Sequence, residues 1–224
     1  MNKVQEQSGY ENTPEWRGYC KLMEERPKSF RGGGYPKIVT DVRVVDRFVR
    51  ENHVKIGLIY QSPYNIFLVD LVEEKDGFLH TYDRLLATVG EGAVVTVPIF
   101  QHQFVLIRQF RHSVQDYVWA FPRGFGEKDI SPEENVVKEL SEEIGARQVF
   151  KVQKIGTIAP DTGILGVYVD AYVCEVSNVE LRKNHEGIED VMLVSEEQLQ
   201  RMIQEQKLVD GYTLAGYAMY KRHS

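Results

Sequence analysis

Cysteine is scarce in this chain, and the two that occur exclude two classes of protein. Cys20 and Cys174 are too few for a disulfide framework and too far apart for a CxxC metal or redox motif. They read as reduced thiols of an intracellular protein. Long apolar runs are missing too. No stretch approaches the roughly 18 apolar residues of a membrane span, and the opening MNKVQEQSGYENTPEW lacks the apolar segment of a signal peptide. The expectation is a cytoplasmic protein with no membrane partner. Positive charge is in deficit: 27 Lys and Arg stand against 33 Asp and Glu, a net charge of −6. Generic nucleic-acid and anionic-membrane surfaces need a basic patch, so neither is expected as a partner. There is no GxGxxG between a strand and a helix, which excludes a Rossmann site. His102, His112 and His185 come singly, without HxH or HExxH spacing, so nothing points to zinc.

What is present suffices for one large domain, or a main domain with a small addition: 224 residues, 42% of them hydrophobic. TPEWRGYCKLMEER reads as a helix opened by Thr13, with Pro14 at its first position. Gly32 to Gly34 form a hinge, since no GK[ST] follows them. Val42, Val45, Phe48 and Val49 recur at helical spacing between Asp41 and Asn52. The pattern then changes. KIGLIYQ, YNIFLVDLVE, FLHTYDRLLAT, GAVVTVPIF and QFVLIRQF are short strand-like runs broken by turn residues, with Asp76-Gly77 as a hairpin turn. A loop rich in glycine and proline leads to a strong helix over 131–144. Strand-like KVQKIGTIA and GVYVDAYVCEV follow, then helices beginning near Ser195 and after Asp210. Strands with helices at intervals mean an α+β chain.

The helix over 131–144 carries the chemistry. Ser131, Pro132 and Glu134 supply an N-cap, a proline at the first position and a capping-box glutamate, and Gly145 supplies the stop. At about 100° per residue, Val136, Val137, Leu140 and Ile144 fall on one apolar stripe that must face the core. Glu139, Glu142 and Glu143 fan out from the edge of that stripe towards solvent. Like charges at these spacings repel by roughly 0.2–0.5 kcal/mol per pair, so the cluster is a liability unless a cation sits against it. Mg²⁺ takes one or two carboxylates together with waters and substrate phosphates, and ExxEE offers carboxylates at suitable spacing. The competing reading is an acidic, solvated helix face. The acid is local: residues 127 to 143 hold seven carboxylates against Lys128 and Lys138, which accounts for most of the net charge of the chain. A phosphate-bearing partner is therefore not excluded, provided that it arrives with or at a divalent ion.

Upstream of this helix stands WAFPRGFGEKDI. With it, the sequence resembles the Nudix hydrolases, whose box reads G, five residues, E, seven residues, R-E-U-x-E-E-x-G-U, where U is apolar. Gly124, Glu139, Leu140, Glu142, Glu143, Gly145 and Ala146 take matching positions at the right spacing. Two positions depart from the box: Ile130 stands for its first glutamate and Lys138 for its arginine. Ala120 also stands where many relatives of the ADP-ribose pyrophosphatase branch place a metal-binding glutamate. A lysine keeps the arginine's charge but loses its planar fork.

The resemblance implies a Nudix fold of mixed β-sheets in an α/β/α sandwich with an N-terminal β-rich subdomain. The implied division is a helical extension over 1–53, a β subdomain over 54–90 and the Nudix domain over 91–224. The implied reaction is attack of water on the diphosphate of ADP-ribose or a related nucleoside diphosphate sugar. Glu139 and Glu143 would hold Mg²⁺, with Mn²⁺ as the alternative ion, and the backbone carbonyl of Arg123 would add an oxygen. Glu142 is either a third ligand or an acid–base partner, with Lys138 and Gly145 in supporting roles. A late-loop general base would be Glu186 first and Glu189 second, both in KNHEGIED. Arg111, in RQFRH, would reach substrate together with Arg123 and Gly124, and Pro160 stands near a proline of that branch. The extra strands resemble a subdomain exchanged within a homodimer. Ile130, Lys138 and Ala120 motivate the alternative: a weakened Nudix module that binds or senses such a nucleotide.

Overall fold

The computed structural model describes residues 9–89, 91–181 and 187–223. The chain divides into two compact units, Met1–Thr88 with Asp161–Gly166, and Val89–Pro160 with Val167–Ser224.

In the first unit, helix α1 (Pro14–Glu25) starts at Thr13, whose side chain accepts the Trp16 N–H. Helix α2 (Val42–Asn52) starts at Asp41, which accepts from Arg43. Strands β1 (Lys37–Ile38), β2 (Gly57–Gln61), β3 (Asn65–Glu73) and β4 (Leu79–Ala87) form an antiparallel sheet. β3 lies at its centre, paired with β4 along its whole length and with β2 and β1 on its other edge. The turn at Asp76-Gly77 is the expected one: Gly77 takes a φ of 84° and Phe78 donates to the Asp76 carboxylate. Helices and sheet share a single apolar core around Trp16, Tyr19, Val45, Ile56, Leu68 and Leu71. Within it Asp70 is buried, accepting from the Tyr19 hydroxyl and from the Arg84 guanidinium. The segment 161–166 belongs to this unit because Leu85 donates to Ile164 and accepts from Gly166, which adds a parallel bridge to the edge of β4.

The second unit is built on β5 (Val94–Phe100), β6 (Gln103–Arg111), β7 (Asp116–Ala120), β8 (Arg123–Gly124), β9 (Val149–Ile158), β10 (Val169–Val176) and β11 (Ile188–Val194). The sheet runs β11-β6-β5-β10-β9, with β5 and β10 parallel and its other pairs antiparallel. Alternate residues point to opposite faces, as the strand period requires. Val94, Val105 and Ile107 pack under helix α3 (Pro132–Glu143). Val95, Val97, Phe104 and Leu106 pack with residues of α4 (Glu196–Gln204) and α5 (Gly211–His223). The result is the expected α/β/α sandwich.

β5 and β6 pair only next to their turn, at Ile99↔Phe104 and Phe100↔Gln103. Beyond it β7 pairs with β6 and β8 with β5, so the run from Ala120 to Gly124 passes between two strands that have parted. β7, β8 and β11 are strands that no sequence period announces. DYVWA and RG are too short to show a period, and β11 begins inside the polar KNHEGIED. Among the described residues no helix is long and apolar enough to cross a membrane.

Candidate active site

The start of α3 follows its sequence. Ser131 accepts from the Glu134 N–H while Glu134 accepts from the Ser131 N–H at 2.7 Å, and Pro132 opens the first turn. Gly145, with a φ of 63°, stops the helix as expected.

The rotation of the helix differs from the expectation. Val137 is 43% exposed, whereas Asn135, Glu139 and Glu143 are 1%, 7% and 1% exposed. With Glu139 at zero and about 100° per residue, the buried arc runs from Asn135 near −40° to Ile144 near 140°. The carboxylates therefore do not fan out together into solvent. Glu139 and Glu143 are buried, and only Glu142 remains half-exposed.

The loop after β7 accounts for the difference. It lies over the acidic edge of α3, which a count of apolar positions alone cannot reveal. The Arg123 N–H donates to Glu143 Oε2 at 3.2 Å. A Cβ on Gly124 would stand 1.9 Å from Glu139 Oε1, so the carboxylate occupies space that only a glycine leaves open. Asn135 Nδ2 fastens the loop from below, donating to the carbonyls of Phe125 at 2.8 Å and Gly92 at 3.1 Å. Lys138 bridges Glu127 of the loop at 2.5 Å and Glu142 of its own helix at 3.1 Å. The hydrogen bond that Lys138 donates to Glu127 is the main cause that holds its ammonium above the usual lysine range.

The far side of the loop is held by the start of α5. Thr213 Oγ1 accepts the Phe121 N–H at 2.9 Å and donates to Asp210 at 2.7 Å. Arg123 reaches Asp210 at 3.6 Å and lies 4.6 Å from the centre of the Tyr212 ring. Burial raises the Tyr212 phenol, and the positive charges of Arg123 and Arg111 pull against it. Arg111 ends β6 opposite Asp116.

Among the described residues no three His, Cys, Asp or Glu side chains form a ready-made metal cage. What the site offers is two buried carboxylates one helical turn apart, seated against a glycine. That all-oxygen donor set suits a hard divalent ion that keeps waters and substrate phosphates in its shell.

A family model described as the NUDIX domain matches residues 90–214. The chain belongs to the Nudix family. Its fold is the α+β Nudix fold, and its class is that of hydrolases acting on pyrophosphate bonds. A solved structure of an ADP compounds hydrolase superposes on this Nudix protein with a TM-score of 0.62 at 16% identity, covering 75% of this chain and 91% of that one. At that identity the likeness is one of fold. No curated protein matches the sequence.

The departures from the Nudix box can now be located. Ala120 is fully buried at the end of β7, opposite Ile107. Ile130 is partly buried in the turn before α3. Lys138 forms its ion pairs with Glu127 and Glu142. Glu189, expected on a loop, stands in strand β11, where its carboxylate accepts from the Tyr117 hydroxyl and lies 3.7 Å from Arg108. Glu186 lies outside the described residues. Asn135, Glu127, Asp210, Tyr212 and Thr213 also build the site and belong to no motif of the sequence. Asp210 alone carried a signal, as the residue before a helix; the others act through contacts distant in sequence.

Proposed function

We propose that this Nudix protein is a Mg²⁺-dependent pyrophosphatase cleaving ADP-ribose or a related nucleoside diphosphate sugar into a nucleoside monophosphate and a sugar phosphate. The observation that carries the reading is the burial of Glu139 and Glu143 against Gly124, with the Arg123 N–H on Glu143. Two carboxylates one helical turn apart offer oxygens at a spacing that a hard divalent ion can use. Glu139 and Glu143 would hold the ion, with the Arg123 carbonyl as a further oxygen. When bound, the ion neutralises charge developing on the diphosphate and makes water more acidic. Arg111 and Arg123 would bind the phosphate oxygens, Arg123 being oriented by Asp210 and Tyr212. Water attacks one phosphorus, the bridging P–O bond breaks, and the second phosphate leaves with its sugar or nucleoside. The proton released passes to a carboxylate at the rim. Glu142 is half-exposed and tied to Lys138, which suits this part better than that of a third inner ligand. Glu189 already holds the Tyr117 hydroxyl, which makes it the weaker base.

The fold likeness to an ADP compounds hydrolase and the run RQFRH favour the substrate class. The N-terminal unit is consistent with a homodimer. The purified protein should be incubated with Mg²⁺ and a panel of nucleoside diphosphate sugars that includes ADP-ribose. Release of AMP and ribose phosphate is the expected result. No release above a Glu143→Gln control would overturn the reading, and ligand binding without turnover would favour the sensor instead.

A further inference from the structure

We propose that Thr213 is a positioning residue for Arg123, a single buried hydroxyl that sets both the backbone and the guanidinium of that arginine. This rests on the reading that Arg123 binds the phosphates of the substrate.

Thr213 is fully buried in the first turn of α5. A hydroxyl can accept one hydrogen bond while it donates another, and here it does both. It accepts the Phe121 N–H at 2.9 Å and donates to Asp210 Oδ2 at 2.7 Å. The first bond acts on the backbone. The run into Arg123 is held at three successive residues: the Phe121 N–H by Thr213, the Pro122 carbonyl by the Thr96 N–H at 2.9 Å, and the Arg123 N–H by Glu143 at 3.2 Å. β5 supplies the middle hold and α3 the last, so Thr213 is the hold that comes from α5. The second bond acts on the side chain. Asp210 Oδ2 receives the Thr213 N–H at 2.9 Å as well as its hydroxyl, and Oδ1 is left facing Arg123 Nη1 at 3.6 Å. Capping a helix takes one carboxylate oxygen. The second oxygen of Asp210 holds the guanidinium beside the Tyr212 ring, 4.6 Å from its centre. A valine at 213 would keep the shape and make neither side-chain bond, whereas a serine would keep both.

The test is steady-state hydrolysis of ADP-ribose with Mg²⁺, with thermal unfolding of each variant measured alongside. Thr213→Val should raise KM about tenfold and lower kcat by less than about threefold, because a misplaced Arg123 loses binding that substrate and transition state share. Thr213→Ser should stay within about twofold of the wild type in both constants. Asp210→Asn keeps an oxygen for the cap and turns an amide N–H towards Arg123. It should raise KM about fivefold, and it carries the test if Thr213→Val does not fold. In an Arg123→Gln background, Thr213→Val should raise KM by less than a further twofold or so, since the residue it positions is gone. A tenfold rise that persists in that background overturns the proposal, because the hydroxyl would then act through something other than Arg123. Thr213→Ser as impaired as Thr213→Val overturns it too, and so does an unchanged KM in Asp210→Asn. A lower unfolding temperature in Thr213→Val with KM unmoved would show a merely structural role. Absence of ADP-ribose hydrolysis by the wild type would overturn the underlying reading, and the inference with it.

Discussion

Each unit of the molecule buries acid, and the two do so in different settings. In the first unit Asp70, 1% exposed, is matched inside the fold by the Arg84 guanidinium and the Tyr19 hydroxyl. Arg84 is itself fixed by the Ser29 carbonyl at 2.7 Å and the Phe30 ring at 4.9 Å. In the second unit Glu139 and Glu143 add like charge to like charge on one helical edge, beside a glycine that makes room for them. A buried charge whose counter-charge is folded in with it serves the structure. Two buried carboxylates on one helical edge, one of them accepting the Arg123 N–H, also present a set of oxygens suited to a ligand.

That contrast can be broken by substitution. The largest effect on stability belongs to Asp70→Asn, which leaves Arg84 without its counter-charge. It should lower the free energy of unfolding by about 3–5 kcal/mol in urea titrations, while turnover per folded molecule is unchanged. Glu143→Gln should do the reverse. Hydrolysis should fall by about 10²–10³-fold, roughly 3–4 kcal/mol of transition-state stabilisation. The metal-free protein should unfold within about 1 kcal/mol of the wild type, since the amide keeps an oxygen to accept the Arg123 N–H. If both variants lose stability alike, the distinction between the two regions fails.

Gly124→Ala sharpens the comparison within the site. The added methyl meets the end of a flexible side chain, Glu139, rather than backbone. The carboxylate is expected to move, costing about 10–100-fold in activity with little change in unfolding. The smallest effect is at the start of α3. Ser131→Ala should cost about 1 kcal/mol through the lost cap. The Glu134 carboxyl is held below its usual range by the Ser131 backbone N–H and, secondarily, by its side chain. Its contribution is therefore complete above the ordinary glutamate pKa and lost as the pH falls through the lowered one. An NMR titration of Glu134 should show its pKa moving back up in Ser131→Ala.

The sequence by itself determined the elements with a period or a punctuation mark. The capping box at Ser131, the stop at Gly145, the turn at Asp76-Gly77 and the long strands all follow from local rules that act over a few residues. The family was legible too, because box spacing survives the changes at Ile130 and Lys138. Only the tertiary structure decided which way α3 faces. Apolar counting put Val137 inward and the glutamates outward, whereas the loop from Ala120 to Glu127 covers the acidic edge and leaves Val137 in solvent. That loop is held by Asn135 from α3, by Thr213 from α5 and by Asp210 just before it, contacts spanning 10 to 92 residues of sequence. Burial of a charge is a property of what packs over it, and no local pattern of residues records that.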